Sequence, residues 1–204
     1  MKFLLIVSML LSVNFLQAQK VKKALPDSTQ IKNTLTGFYK WYDANWQKLT
    51  AFKLYKGKNQ NDEPPYRINW KEVDRYFAYL RKNSSHLSEA FIEEERERFK
   101  RIEQDFQNHP EEEIPSGFDY DRFTNTQEEP SYFLQELLRK DNQWQTYVNG
   151  NTASLSIAQP SFKEQPLATH HFFCAEMRKE KGKWKITRLD CDLTENSIEE
   201  KPMQ

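Results

Sequence analysis

Glycine is scarce in this chain, with five in 204 residues. A phosphate-cradling loop needs glycine wherever backbone amides must close around an anion, and no Gly-rich phosphate loop is found. A serine nucleophile elbow and a zinc-protease helix are missing as well. Charge of one sign is also lacking, since 30 Lys and Arg stand against 30 Asp and Glu. Without a basic excess there is no electrostatic footprint for nucleic acid or for an anionic membrane, and neither is expected as a partner. Cysteine is limited to Cys174 and Cys191. The sequence shows no internal repeat and no low-complexity segment.

One long apolar run is present, and it stands at the beginning. Lys2 precedes an apolar stretch from Phe3 to Leu11, which leaves through Ser12, Asn14 and Gln17 to Ala18. A basic start, a short apolar centre and a small residue at the exit are the three zones of an export signal, with cleavage expected after Ala18. The run is shorter than the roughly 20 residues that span a bilayer. No cysteine near Ala18 offers a lipid attachment point, so no stable membrane anchor is expected. The expectation is therefore a periplasmic or secreted protein. It divides into a signal at 1–18, a lead segment at 19–26, one domain at 27–193 and a polar tail at 194–204. In an oxidising compartment an even pair of cysteines is expected to form a structural disulfide, Cys174 to Cys191.

The remaining chain has helical periodicity first and alternation later. Asp27 can cap a helix with Gln30 three residues on, and Ile31, Leu35, Phe38, Tyr39, Tyr42, Trp46 and Leu49 then recur at spacings of three and four. Asn69 with Glu72 reads as a capping box for a second helix, whose buried side is Val73, Phe77 and Leu80. A third helix runs through Leu87, Phe91, Phe99, Ile102 and Phe106. Its charged segment from Glu93 to Arg98 reads as a solvated face. From Gln143 the period becomes two: Trp144, Thr146 and Val148 form one strand, and Ala153, Leu155 and Ile157 the next across Asn149-Gly150-Asn151. A hairpin around Lys181-Gly182 joins 172–177 to 184–189. A turn at these two residues sets Met177 opposite Ile186 with Cys191 diagonal to Cys174, a turn at Gly182-Lys183 sets the cysteines directly opposite but Met177 against Arg188, and a bulge would reconcile the two; the thiols are close either way. Helices followed by an antiparallel sheet make the fold class α+β.

Three stretches resemble a known family. They are Phe38-Tyr39-Lys40-Trp41-Tyr42, the segment Asp119-Tyr120-Asp121-Arg122-Phe123-Thr124-Asn125-Thr126-Gln127-Glu128, and Trp184-Lys185-Ile186-Thr187-Arg188-Leu189-Asp190-Cys191. Together they are similar to exported bacterial proteins grouped as domain-of-unknown-function family 3828, of the nuclear transport factor 2-like superfamily. The second stretch has Arg122 where that family usually has Pro, and Glu128 where it usually has Asp. The resemblance implies a cone, in which N-terminal helices pack across a curved C-terminal antiparallel sheet and often leave a pocket between the two layers. It implies no activity, because that frame hosts enzymes, carriers and interaction modules alike.

Candidate site residues follow from chemistry. Tyr39, Tyr42 and Trp46 give the first helix an aromatic face that suits either core or the wall of a pocket. Asp119, Tyr120, Asp121 and Gln127 form an acidic, aromatic loop. In an EF-hand register Phe123 and Thr124 fall at positions five and six, where a ligand and Gly belong, so no metal site is expected. The plainer reading has both aspartates bonding loop amides while Phe118, Tyr120 and Phe123 pack inward. His170 and His171 would point to opposite sides of a strand and cannot share an ion. No cofactor and no catalytic residue is assigned. The functional reading is a non-catalytic module for a small apolar ligand or a protein partner. Its alternatives are a hydrolase or isomerase with Asp119 or Asp121 as base and Tyr120 or His170 as partner, and a periplasmic inhibitor or immunity-type protein.

Overall fold

In the computed structural model, residues 25–59, 63–159 and 171–189 are described, apart from the side chains of His171 and Phe172. The apolar stripe beginning at Ile31 becomes helix α1, Asp27–Thr50, and buries Ile31, Leu35, Phe38, Tyr39, Tyr42 and Leu49. Most of its aromatic face is thus core, with Trp46 half-buried. Its expected cap is not formed. Pro26 occupies the cap position, and the Asp27 carboxylate instead accepts hydrogen bonds from Lys179 Nζ at 2.7 Å and Trp184 Nε1 at 2.9 Å. The side chain that would have closed its own helix end pins that end to the sheet.

A two-stranded ribbon follows, β1 (Tyr55–Lys56) paired antiparallel with β2 (Arg67–Ile68). Asn69 then opens helix α2, Trp70–Asn83, but its side chain does not cap it. The Asn69 amide donates to the Lys53 carbonyl at 2.8 Å, and its backbone N–H donates to Leu54 O. Glu72 pairs with Arg75 and not with the cap. The expected capping box gives way because its residues have tertiary or more local partners. Helix α3, Glu89–Asn108, does carry a side-chain cap, the Ser88 hydroxyl accepting from Phe91 N–H at 3.0 Å. Helices α2 and α3 are held together by Trp70 Nε1 on Glu103 and by Arg96 on Asp74.

A fourth helix, α4 (Pro130–Leu137), was not foreseen from the sequence. Pro130 begins it, and Phe133 and Leu137 bury one side. Proline is favoured at a first helical position because the missing N–H would have had no intrahelical acceptor. The sheet is a four-stranded antiparallel meander in the order β3 (Gln143–Asn149), β4 (Thr152–Ala158), β5 (His171–Glu180), β6 (Lys183–Leu189). Alternation is clearest on β4, where Ala153, Leu155 and Ile157 are buried. These residues belong to a hydrophobic cluster that also includes the buried faces of α1 to α4. The class is α+β, as the change of period indicates.

The terminal hairpin has the expected turn. Lys181 and Gly182 both have positive φ, 49° and 77°, as a two-residue I′ turn requires, and Met177 faces Ile186. The register then shifts, so that Glu176 faces Arg188 and Thr187 is the extra residue. This bulge inverts the alternation: Trp184 and Ile186 point inward, and so does Leu189. Cys174 is buried at 4% exposure and pairs in register with Ser156. Cys191 lies outside the described residues, as do His170, the segment 1–24 and the tail. The free edge of β6 is met by His86–Ser88: Ile186 N–H donates to His86 O at 2.8 Å and Ser88 N–H to Ile186 O at 3.0 Å. No helix among the described residues is long and apolar enough to cross a membrane.

Candidate binding cavity

The loop between α3 and α4 is built on two aromatic anchors. Phe118 packs against Tyr55, with ring centroids 4.7 Å apart, and also lies near Phe99. Phe123 is buried against Tyr42 at 4.7 Å and Phe38 at 5.4 Å. Between the anchors, Asp121 ties the loop together. Its Oδ1 accepts from Phe123 N–H at 3.0 Å, Thr124 N–H at 2.9 Å and the Thr124 hydroxyl at 3.0 Å, while its Oδ2 accepts from the Tyr42 hydroxyl. Backbone bonds close the turn, from Asn125 N–H to Asp121 O and from Asp121 N–H to Thr126 O. Asn125 accordingly has a φ of 51°, a conformation Asn tolerates better than most residues.

The anchored loop roofs a half-open cavity of about 410 Å³. That falls within the roughly 300–1,000 Å³ of small-molecule pockets. Its walls come from the C-terminal half of α1, the Thr50 to Tyr55 segment, α2, α3 and the loop from Gly117 to Phe123. None of β3 to β6 contributes to the lining. The cavity is therefore not the helix–sheet space that the family resemblance implies. In that space, Tyr39 lies 4.6 Å from Phe133 and 5.8 Å from Phe173, ring to ring.

Eight aromatic rings line the cavity, and its polar groups divide into two sets. The carboxylates are already engaged, Asp121 as described and Glu95 by Arg122 at 2.5 Å. Glu95 is only 2% exposed. Burial, together with the Asp121 charge, pushes the Tyr42 phenol far above its usual range, so it stays protonated and donates. The second set faces the cavity without an acidic partner. Arg98 gives one hydrogen bond, from Nη2 to Gly117 O at 2.7 Å, and forms no ion pair among the described residues. Burial holds the Arg98 guanidinium below its ordinary value, and the Glu95 charge opposes that shift. Tyr76 is 6% exposed, and its hydroxyl makes no hydrogen bond among the described residues. Burial and then the charges of Glu95 and Asp121 raise the Tyr76 phenol, which also remains protonated.

The structure brings together three of the residues singled out in the sequence, Tyr42, Tyr120 and Asp121, at this cavity. Tyr120 does not pack inward as expected. It is 52% exposed at the cavity mouth, because the inward positions on either side are filled by Phe118 and Phe123. Tyr39 is wholly buried in the core and donates to Phe123 O at 2.6 Å. Trp46 is not among the lining residues. Asp119 is exposed, and only its backbone carbonyl is engaged, by Gln127 Nε2 at 3.3 Å.

The residues that sequence reasoning missed are Tyr76, Glu95 and Arg98. The charged run of α3 is solvated at Glu93, Glu94 and Glu97, yet Glu95 and Arg98 turn inward. Their signal was positional, since 91, 95, 98 and 102 continue the apolar stripe of Phe91 and Ile102 at spacings of four, three and four. Tyr76 falls on the stripe of Val73, Phe77 and Leu80 in the same way. Elsewhere, Asp105, His109 and Glu112 gather on the surface with ligand atoms mutually within 4.8 Å, but no buried donor set supports them as a metal centre. No protein-family model, curated protein or solved structure matches this chain. Its site is read from its own geometry, an aromatic cavity in an α+β domain.

Proposed function

We propose that this chain is an exported, non-catalytic binding module whose aromatic cavity takes a small, mostly apolar molecule. The observation that carries the reading is the half-open cavity of about 410 Å³ with eight aromatic rings in its wall. Rings held by one another and by a buried ion pair present a preformed surface, so little ordering opposes binding. The enzymatic alternative has less support. Asp121 already accepts four hydrogen bonds and Asp119 faces solvent, which leaves neither aspartate placed as a base for a molecule in the cavity. The apolar run before Ala18 supports export. The order of elements, helices first and an antiparallel meander last, supports a nuclear transport factor 2-like frame and the family resemblance stated above.

Ligand-observed NMR with a library of small aromatic and aliphatic compounds tests the binding proposal. Competent binders should lose affinity when Phe118 or Phe99 is replaced by Ala and keep it when the exposed Tyr147 is. Compounds that bind all three variants and the parent equally would show that the cavity is not the site.

A further inference from the structure

We propose that the ligand of this cavity carries an anionic group, a carboxylate on an apolar or aromatic body, which docks on Arg98 and Tyr76. The inference rests on the binding reading above and sharpens it to a chemical class. The argument is one of donors and acceptors. Both carboxylates of the lining are occupied, Glu95 by Arg122 and Asp121 by Tyr42, Thr124 and two loop amides. The groups left open are donors. Arg98 shares only Nη2 with Gly117 O, so most of its five N–H donors have no protein acceptor among the described residues. The Tyr76 hydroxyl likewise has none, on a residue that is 6% exposed and lines the cavity.

The two side chains line the same cavity, within each other's electrostatic field. Arg98 comes from α3 and Tyr76 from the facing side of α2, so the pair is set by helix packing and not by a mobile loop. These donors face the cavity with no acceptor from the protein among the described residues, and a planar carboxylate matches the guanidinium fork. Lys53, exposed and also part of the lining, adds a positive charge beside that of Arg98. The apolar body of such a ligand would lie against Phe52, Tyr55, Phe99 and Phe118, which line the same cavity.

The test uses matched acids and amides, 3-phenylpropionate with 3-phenylpropionamide and octanoate with octanamide, titrated into the purified protein by calorimetry. Each acid should bind at least about tenfold more tightly than its amide, a difference of about 1.4 kcal/mol. Arg98→Gln should reduce that preference to near unity and leave the amide affinity unchanged. Tyr76→Phe, which keeps the ring and its packing, should lower the acid's affinity several-fold, and it serves as the readout if Arg98→Gln loosens the Gly117 loop. Equal binding of acid and amide to the parent, or a preference that survives both substitutions, would overturn the anion site while the cavity remained a binding site. Failure of every one of the four probes to bind at concentrations up to about 10 mM would overturn the binding reading with it.

Discussion

Removing the Asp121 carboxylate separates a structural role from a chemical one. Its two oxygens hold four donors: two loop amides, the Thr124 hydroxyl and the Tyr42 phenol. In Asp121→Ala all four lose their acceptor at once, on a loop whose ends are fixed by Phe118 and Phe123. A hydrogen bond to a charged group contributes about 1.5–3 kcal/mol net, and buried donors left open cost about 1–3 kcal/mol each. The terms do not add, and water entering from the half-open cavity can satisfy part of the set. A loss of about 3 kcal/mol is expected, a large share of the roughly 5–15 kcal/mol that holds a domain together. Asp121→Asn keeps the oxygen that serves the amides and Thr124, while the Tyr42 hydroxyl can rotate to accept from the new amide. It should cost at most about 1 kcal/mol. Urea unfolding followed by tryptophan fluorescence measures both. If Asp121→Ala fell within about 0.5 kcal/mol of the parent, or Asn proved as damaging as Ala, the loop would not depend on this carboxylate and the structural reading would be wrong.

The ion pair in the cavity wall should behave as a buried one: Arg122→Gln leaves Glu95 without its partner, and a loss of about 2–4 kcal/mol in denaturant titration is expected, towards the lower end because Arg98 shares the field of Glu95. Two glycines with positive φ make a controlled comparison. Gly182→Ala should cost about 1 kcal/mol for backbone strain alone, since no atom lies within 4 Å of its new methyl group. Gly117→Ala adds a contact of 2.7 Å with Ile102 Cδ1 and should cost about 1–3 kcal/mol more, so equal values for the two would refute the tight approach at Gly117. His86 is depressed by burial and then by the Lys185 charge. The unfolded chain therefore takes up the proton first, and the His86 contribution to stability, complete above about pH 6.5, is lost as pH falls through the lower folded value. His86→Gln should flatten the pH dependence of the melting temperature below neutrality, and an unchanged slope would contradict this. Alkylation of the non-reduced protein should label neither Cys174 nor Cys191, whereas two labelled thiols by mass would exclude the disulfide.

Elements governed by one local period were legible in the sequence. The α1 stripe, the β3–β4 alternation and the Lys181-Gly182 turn each depend on neighbours a few residues away. The hairpin's turn and its Met177–Ile186 pairing were legible, whereas the bulge at Thr187 shifts the register by a single position and the pairing of Cys191 lies outside the described residues. The helix caps were misread because Asp27 and Asn69 have tertiary partners, Lys179 and Trp184 in one case and Lys53 in the other. No window around Asp27 contains residues more than 150 positions distant. The cavity was half legible. Asp121 was singled out for the right loop, but Glu95 and Arg98 were hidden in a charge run whose inward members only helix phase distinguishes. Helix α4 lies between an acidic, turn-rich stretch and the mixed-charge turn from Arg139 to Asn142 and is only eight residues long, so its period hardly repeats.

The contact between His86–Ser88 and β6 also bears on how copies of this protein can meet. A sheet grows by offering unpaired backbone groups at its sides, and here one side is already taken by the chain's own connection between α2 and α3. Among the described residues the other side, β3, has no strand beyond it, and its sequence Gln-Trp-Gln-Thr-Tyr-Val-Asn contains no charge and no proline to repel a neighbour. Two molecules joined β3 to β3 would form one continuous eight-stranded sheet, each outer border of which is met at Ile186 by the chain's own His86–Ser88. A further strand added along β6 would have to displace that contact at Ile186.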